Sequence, residues 1–233
     1  ETSWATYDPV GIKGDQPAPG YTRDKEGLTG HRNGKQWLPA ECDVSIRPGW
    51  FWHEEQNAKV KTPRELMDLY YKSVGRGGSF LLNVPPDRRG LLHENDIASL
   101  RAFGAMRKKA FATNLAAGAK WKMSSALKGH DFRAGSWLTP ENLTTAAAEA
   151  TLRREVEFNV IRVREDIRLG QRIDAFEVDA YSSGEWRKIA AATSIGNCRL
   201  IRLEQPCKTR RVRLRVTHAS ASIAVKDFGL FLE

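Results

Sequence analysis

Residues 41–110 alternate between two hydrophobic periods, and this alternation restricts the possible fold more than any other feature of the chain. "CDVSI" (42–46) reads as a short buried strand closed by Pro48-Gly49. "TPRELMDLYYKSVGRGG" (62–78) reads as a helix, with Thr62 suited to the N-cap, Pro63 to the first helical position and Glu65 to a capping box. Leu66, Leu69, Tyr70 and Val74 recur at helical spacing, and Gly75 can end the helix. "SFLLNV" (79–84) is an apolar run of the kind buried on both faces of a sheet, stopped by Pro85-Pro86. "ENDIASLRAFGAMRKKAF" (94–111) places Ile97, Leu100, Phe103 and Met106 on one helical face, and an Asn or Asp of "DRRGLLHENDI" is expected to cap it. Strand, helix, strand, helix implies parallel βα units. Two strands cannot close a sheet, so residues 1–115 read as the last part of a larger α/β domain.

After residue 115 the texture becomes all-β. Candidate strands are "VEFNVIRVRE", "RIDAFEVDAY", "WRKIAAATSI", "CRLIRLE", "RRVRLRVTHA" and "IAVKDFGLFLE". Leu169-Gly170, Ser183-Gly184 and Gly196-Asn197 separate several of them. Short strands at this spacing predict an antiparallel β-sandwich over residues 116–233. "TPENLTTAAAEATL" fits neither period and reads as loop or edge. Trp121, Trp137 and Trp186 are core or platform candidates, with Trp186 assigned to the core. The first 40 residues, rich in Gly, Pro, Asp and Lys, read as a long loop, and the opening "ETSWATYDPV" reads as the interior of a longer protein.

The formal charge of +9 raises the question of a nucleic-acid partner. Residues 1–120 carry 18 Lys and Arg against 14 Asp and Glu, and residues 121–233 carry 19 against 14. The excess is spread evenly, which disfavours a nucleic-acid surface. In "TRRVRLRV", Arg211, Arg213 and Arg215 alternate with apolar residues as on one solvated strand face. No apolar run reaches the length of a membrane span. Cys42, Cys198 and Cys207 form neither a disulfide framework nor a metal motif, so no metal or cofactor is expected.

The stretch "ECDVSIRPGWFWH" (41–53) combines acids, an arginine, a histidine and three large aromatics. Residues that follow the carboxyl end of a parallel strand face the chemistry in a barrel. Aromatic rings can pack on the C–H faces of a sugar while charged groups orient its hydroxyls. The structural alternative is a packing cluster in which Arg47 pairs with Asp43 or Glu41. Asn83, ending the second strand, is expected to tie rim loops together. "SVGRGGSFLLN" lacks the phosphate-loop pattern and leads into a strand, so it is not read as a phosphate site.

"WLPAECDVSIRPGWFWH" and "VKTPRELMDLYYKSVGRGGSFLLNVPPDRRGLLHENDIASLRAFG" resemble the carboxyl-terminal part of the catalytic barrel in the α-L-fucosidases of glycoside hydrolase family 29. "FNVIRVREDIRLGQRIDAFEVDA", "IAAATSIGNCRLIRLE" and "TRRVRLRV" resemble the galactose-binding or discoidin-like sandwich appended to them. The resemblance implies the last strands and helices of a (β/α)8 barrel followed by that sandwich. It implies a retaining exo-glycosidase acting on fucosylated oligosaccharides or glycoconjugates, in the branch nearest α-1,3/1,4 Lewis-type linkages, in a periplasmic or extracellular setting. The family's nucleophilic Asp and acid/base Glu match no position of this chain, Glu1 being a remote candidate for the latter, so no catalytic residue is assigned. Trp50 and Phe51 match aromatic residues near the fucose, Glu41 and His53 are candidate hydroxyl partners, and Trp4 is a candidate for lining an acceptor site. The family's sugar-binding stretch is not visible around "SWLTPENLTTAAAEA". A non-catalytic sandwich with a barrel remnant is the competing reading.

Overall fold

The computed structural model describes residue 4 and residues 6–8, 11–12, 16–17, 30–37, 39–132 and 135–233. In chain order, the strands are β1 (Thr6–Tyr7), β2 (Gly11–Ile12), β3 (Gln16–Pro17), β4 (Gln36–Trp37), β5 (Glu41–Ser45), β6 (Ser79–Asn83), β7 (Lys120–Met123), β8 (Trp137–Leu138), β9 (Ala146–Glu165), β10 (Ile173–Ser182), β11 (Glu185–Ala192), β12 (Arg199–Ala219) and β13 (Ala224–Phe231). Two helices, α1 (Pro63–Lys72) and α2 (Glu94–Ala110), follow β5 and β6 respectively. β1 pairs with β4 and β2 with β3, so the opening region contains short strands as well as loop.

β5 and β6 are parallel, with Glu41 opposite Ser79 and Ser45 opposite Asn83. Helix α1 begins with the expected box: the Thr62 hydroxyl accepts from the Glu65 backbone, and the Glu65 carboxylate accepts from the Thr62 N–H. It ends at Lys72, before Gly75, and Gly77 takes the left-handed conformation at φ 85°. His93, not an Asn or Asp, caps α2, its Nδ1 accepting from the Asn95 N–H. β6 is not buried on both faces as its apolar run predicts. Leu81 is 49% exposed, while Phe80 turns inward to Phe103.

The remaining strands form one antiparallel sheet in the order β11-β10-β12-β9-β13-β8, with β7 added along β9. Phe176 and Val178 of β10 share a single core with Phe228 and Leu230 of β13, which is possible only because the sheet curls over onto itself. Two long strands replace the shorter ones read from the sequence. "CRLIRLE" and "RRVRLRVTHA" both lie in β12, which shifts register between Arg202 and Cys207 and again between Thr209 and Arg211. Pro206 falls in the first shift, where no ladder hydrogen bond is required of it. The alanine run 146–150 opens β9 and is not a loop: Ala148 and Ala150 are buried between β7 and β12, where small side chains let three strands approach. Trp137 is fully buried and Trp121 packs against Phe132 and Phe228. Trp186 is not a core residue; it lies on the outer face between Tyr181 and the guanidinium groups of Arg211 and Arg213.

The two halves share a second apolar cluster. Met67 and Tyr71 of α1 and Ala110 of α2 pack on Val160, Cys198, Leu200 and Phe231. Arg202 stacks over the Tyr71 ring at 4.0 Å and bridges Asp68 (2.6 Å) to Glu233 (3.0 Å), and the Tyr71 hydroxyl donates to Glu233. Burial and the Glu233 charge push the Tyr71 hydroxyl well above the usual phenol range. The segment after α2 is stapled to β13: Leu115 N–H donates to the Leu230 carbonyl, and Asn114 Oδ1 accepts from the Leu230 N–H.

Candidate active-site wall at the carboxyl end of the parallel strands

The segments that leave β5 and β6 lie side by side, because parallel pairing brings both carboxyl ends to one edge. Asn83 joins them. Its Nδ2 donates to Ser45 Oγ (3.0 Å) and to the Trp50 carbonyl (2.9 Å), while its own carbonyl accepts from the Ile46 N–H. Ser45 Oγ in turn donates to the Gly49 carbonyl at 2.7 Å. The tie expected of Asn83 is thus present, through both its side chain and its backbone.

Arg47 holds the same turn from beneath. It pairs with neither Asp43 nor Glu41; its fully buried guanidinium meets Asp96 in the first turn of α2, with Nε at 3.1 Å and Nη2 at 2.8 Å from Oδ2. Nη2 also donates to Asn57 Oδ1 (3.0 Å) and Nη1 to the His53 carbonyl (3.3 Å). A buried guanidinium is tolerated only when its charge is paired and most of its donors are used; here Nε, Nη1 and Nη2 all donate, and Asp96 supplies the charge through Oδ2. Lys61 adds hydrogen bonds to the carbonyls of Ser45 and Arg47.

This clamping leaves large rings in solvent. Trp50 is 51% exposed and Phe51 76% exposed, although the backbone that carries them is fixed at Ser45, Gly49, Trp50 and His53. Trp52 turns inward, its ring 6.0 Å from the guanidinium of Arg47 and 6.0 Å from that of Arg88, with His93 alongside. A groove of about 410 Å³ runs past Phe51, Trp52, His53 and Glu54 to Pro85, Asp87 and Arg88. Hydrogen bonds from Arg89 hold the Asp87 carboxyl down at about 2 and lower that of Glu94 as well.

Of the candidate binding residues, the structure brings together Trp50, Phe51 and His53. Glu41 stands at the amino end of β5, opposite Ser79, the full length of the strand from this cluster. Trp4 lies under Arg32, its ring centre 4.9 Å from the guanidinium, and Arg32 is next to Asp174 at the start of β10. Glu1 lies outside the described residues. Sequence reasoning missed the roles of Asp96 and Arg88. Asp96 is 49 residues from its partner, and no local spacing announces the pair. Among the described residues no group of three or more His, Cys, Asp or Glu is arranged to hold a metal, and the three cysteines are free.

The basic strand pattern resolves into ion pairs. Arg213 and Arg215 both bind the buried Asp179, Arg215 also binds Glu177, and Arg211 faces Glu149 at 3.5 Å. Among the described residues no helix is long and apolar enough to cross a membrane.

The α-L-fucosidase family pattern matches residues 8–110, which include the whole clamped turn. Across its full length the chain is 35% identical to Alpha-L-fucosidase 1 of Arabidopsis thaliana, of which it covers 47%. A solved Bacteroides thetaiotaomicron structure assigned to the alpha-L-fucosidases superposes with a TM-score of 0.87 at 33% identity, over 100% of this chain and 52% of that one. A Ruminococcus gnavus family 29 fucosidase solved in complex with fucose superposes with a TM-score of 0.82 at 27% identity, over 99% of this chain and 48% of that one. The chain therefore spans about half the length of the relatives it matches. The match includes the strand, turn and helix that build the aromatic wall, and it continues through the curled sheet: the chain belongs to the α-L-fucosidases of glycoside hydrolase family 29.

Proposed function

We propose that this chain supplies the carboxyl-terminal part of a retaining exo-α-L-fucosidase. In this reading, residues 1–115 complete a (β/α)8 barrel and residues 116–233 form the galactose-binding-like sandwich behind it. The observation that carries the reading is the pair of exposed rings, Trp50 and Phe51, on a turn immobilised by Asn83, Ser45 and Arg47. Exposed aromatic side chains are normally mobile. Here the backbone is fixed in advance, so a sugar can pack on the rings without the cost of ordering the loop. Fucose has a methyl group in place of a primary hydroxyl, and that methyl suits an aromatic wall. His53, half exposed beside them, is placed to hydrogen-bond a hydroxyl. Glu41, at the far end of β5, does not share that wall, and Trp4, stacked under Arg32, stays a candidate for lining an acceptor site, so the fucose-binding role rests on Trp50, Phe51 and His53.

Retaining hydrolysis needs two carboxyl groups about 5–5.5 Å apart flanking the scissile bond. No position of this chain matches the family's nucleophile, so the chain alone is expected to be inactive, and turnover belongs to the longer protein acting on terminal fucosides of α-1,3/1,4 Lewis-type glycans. The test is kinetic. In the full-length enzyme, Trp50→Ala and Phe51→Ala should each lower kcat/KM for an aryl α-L-fucoside by roughly 5- to 150-fold, corresponding to about 1–3 kcal/mol of transition-state binding. Trp186→Ala, on the outer face of the large sheet, should leave the kinetics of the folded enzyme nearly unchanged. Wild-type kinetics in both wall variants would reduce the cluster to packing.

A further inference from the structure

At the other end of α1, away from the aromatic rim, a cavity of about 430 Å³ lies between the α/β half and the large sheet. One wall is the last turn of α1 and the turn that follows it, with Lys72 and Arg76; the facing wall is the start of β12, with Arg199 and Arg202. A glycine brings the walls together. Gly75 is buried against Leu200, and a Cβ added there would lie 3.1 Å from the Leu200 Cβ, so the turn is seated on β12 and carries Arg76 with it. Beside them, the edge strand β11 contributes only Ala191 and Ala192, whose small side chains leave the space open.

The charges in this cavity do not balance. Four cations line it and one acid, Asp68, whose carboxylate is held by Arg202 at 2.6 Å. Among the described residues, Lys72 and Arg76 make no ion pair and no side-chain hydrogen bond. Arg211, Arg213 and Arg215, by contrast, each face a carboxylate. Cations near the carboxyl end of a helix often cap its free carbonyls. Here other groups do so: the Leu69 carbonyl accepts from the Ser73 N–H and hydroxyl, and the Ser73 carbonyl accepts from the N–H groups of Arg76 and Gly78. Capping therefore does not account for Lys72 and Arg76.

We infer that this cavity is an oxyanion site that takes the sulfate or phosphate monoester of a saccharide. Its positive groups come from the end of α1, the turn after it and β12, so they meet a tetrahedral oxyanion from several sides, and guanidinium forks match its oxygens. The cavity is larger than the oxyanion alone, and Ala191, Ala192 and Leu200 offer apolar surface to the carrier. The saccharide carrier rests on the fucosidase reading; the oxyanion does not. The site is separate from the aromatic wall. Lys72 and Arg76 lie toward the amino ends of β5 and β6, and Glu41, at the same end, does not line the cavity.

Calorimetric titration of the full-length enzyme, with saturating fucose present to occupy the wall, tests the inference. The ligands are glucose 6-sulfate, glucose 6-phosphate, glucose, and inorganic sulfate and phosphate. At least one ester should bind at a single site, about fivefold or more tightly than its free ion, and more weakly as salt is added; glucose should not bind. Arg76→Ala should weaken ester binding by on the order of 10-fold and Lys72→Ala by about 3- to 10-fold, with Arg76→Lys keeping part of the affinity. Ala191→Gln, which fills the cavity without changing its charge, should weaken it as well. Both cations are exposed, so the variants should match the parent in near-ultraviolet circular dichroism and in turnover of an aryl α-L-fucoside. Absence of ester binding, equal affinity in the parent and the Lys72→Ala/Arg76→Ala double variant, or free ions binding as tightly as the esters overturns the inference. Each of these results leaves the fucosidase reading intact, since that reading fails only if the parent does not turn over the aryl fucoside.

Discussion

The β5–α1–β6–α2 half and the curled sheet of β7–β13 hold their shapes by different means. The sheet is organised around one apolar core to which β8, β9, β10, β12 and β13 all contribute, with Trp137, Phe158 and Phe176 essentially excluded from water. The α/β half has Ile46 and Leu66 buried on its own account, but the rest of α1's inner face, Met67 and Tyr71, is covered by Leu200 and Phe231 of the sheet. Its functional rim is fixed by polar contacts: Arg47 with Asp96, Asn83 with the Trp50 carbonyl, Lys61 with two carbonyls. Polar clamps of this kind are directional, so they can fix a turn while leaving its rings exposed. An apolar core gives more stability but must hide the side chains that supply it.

The largest expected effect comes from separating the halves. Residues 116–233 alone should keep a cooperative fold, whereas residues 1–115 alone should lose protection in α1 and β6, since the surface of α1 formed by Met67 and Tyr71 would face water. Limited proteolysis checks this, and a resistant 1–115 piece would remove the contrast. Next, Phe158→Ala should destabilise the sheet by about 3–5 kcal/mol, and Leu81→Ala, at a position 49% exposed, should change thermal stability by less than about 0.5 kcal/mol. Comparable losses from the two would mean that Leu81 is covered in solution.

A somewhat smaller effect, on the order of 3 kcal/mol, is expected for Asp96→Ala, which strands a buried guanidinium. Its signature should be local: faster amide exchange over residues 47–53, with the sheet protected as before. Uniformly faster exchange across both halves would show that the clamp supports the whole molecule and not only the rim. The smallest effect concerns acid. Burial raises the Asp179 carboxyl, but hydrogen bonds from Arg215 and Arg213 outweigh it and hold the group below its ordinary value of 3.8. The unfolded chain therefore takes up this proton first, so the stabilisation is present above 3.8 and is lost as pH falls through the lower folded value. Asp179→Asn should flatten the decline of Tm as the pH falls through 3.8 and below. An unaltered slope would assign the acid sensitivity of the sheet elsewhere.

Much of the rim was readable from local sequence. The capping box at Thr62, the parallel βα order and the aromatic turn after Pro48-Gly49 are short-range patterns, and each appears in the structure. Long-range partners were not readable. Arg47 sits near two acids in sequence, yet pairs with a third far along the chain, because the start of α2 packs beneath the turn. Trp186 begins an alternating strand and reads as core. It lies instead on the outer face of β11, the edge strand, where two arginines from β12 cover it.

By itself the sequence determined the parallel strand–helix order of residues 41–110 and the all-β texture that follows, since hydrophobic period, capping residues and turn residues act within a few positions of one another. It also determined the family, through long collinear motifs. The tertiary structure decided which face of each element is dry. Ala148 and Ala150 have weak strand preference and became central strand residues only because β7 and β12 close over them. Burial is a property of what packs against a residue, and the neighbours in question are brought there by strand pairing across 25 to 66 residues of chain, from Met123 opposite Ala148 to Leu214 opposite Ala148, beyond the reach of any local pattern.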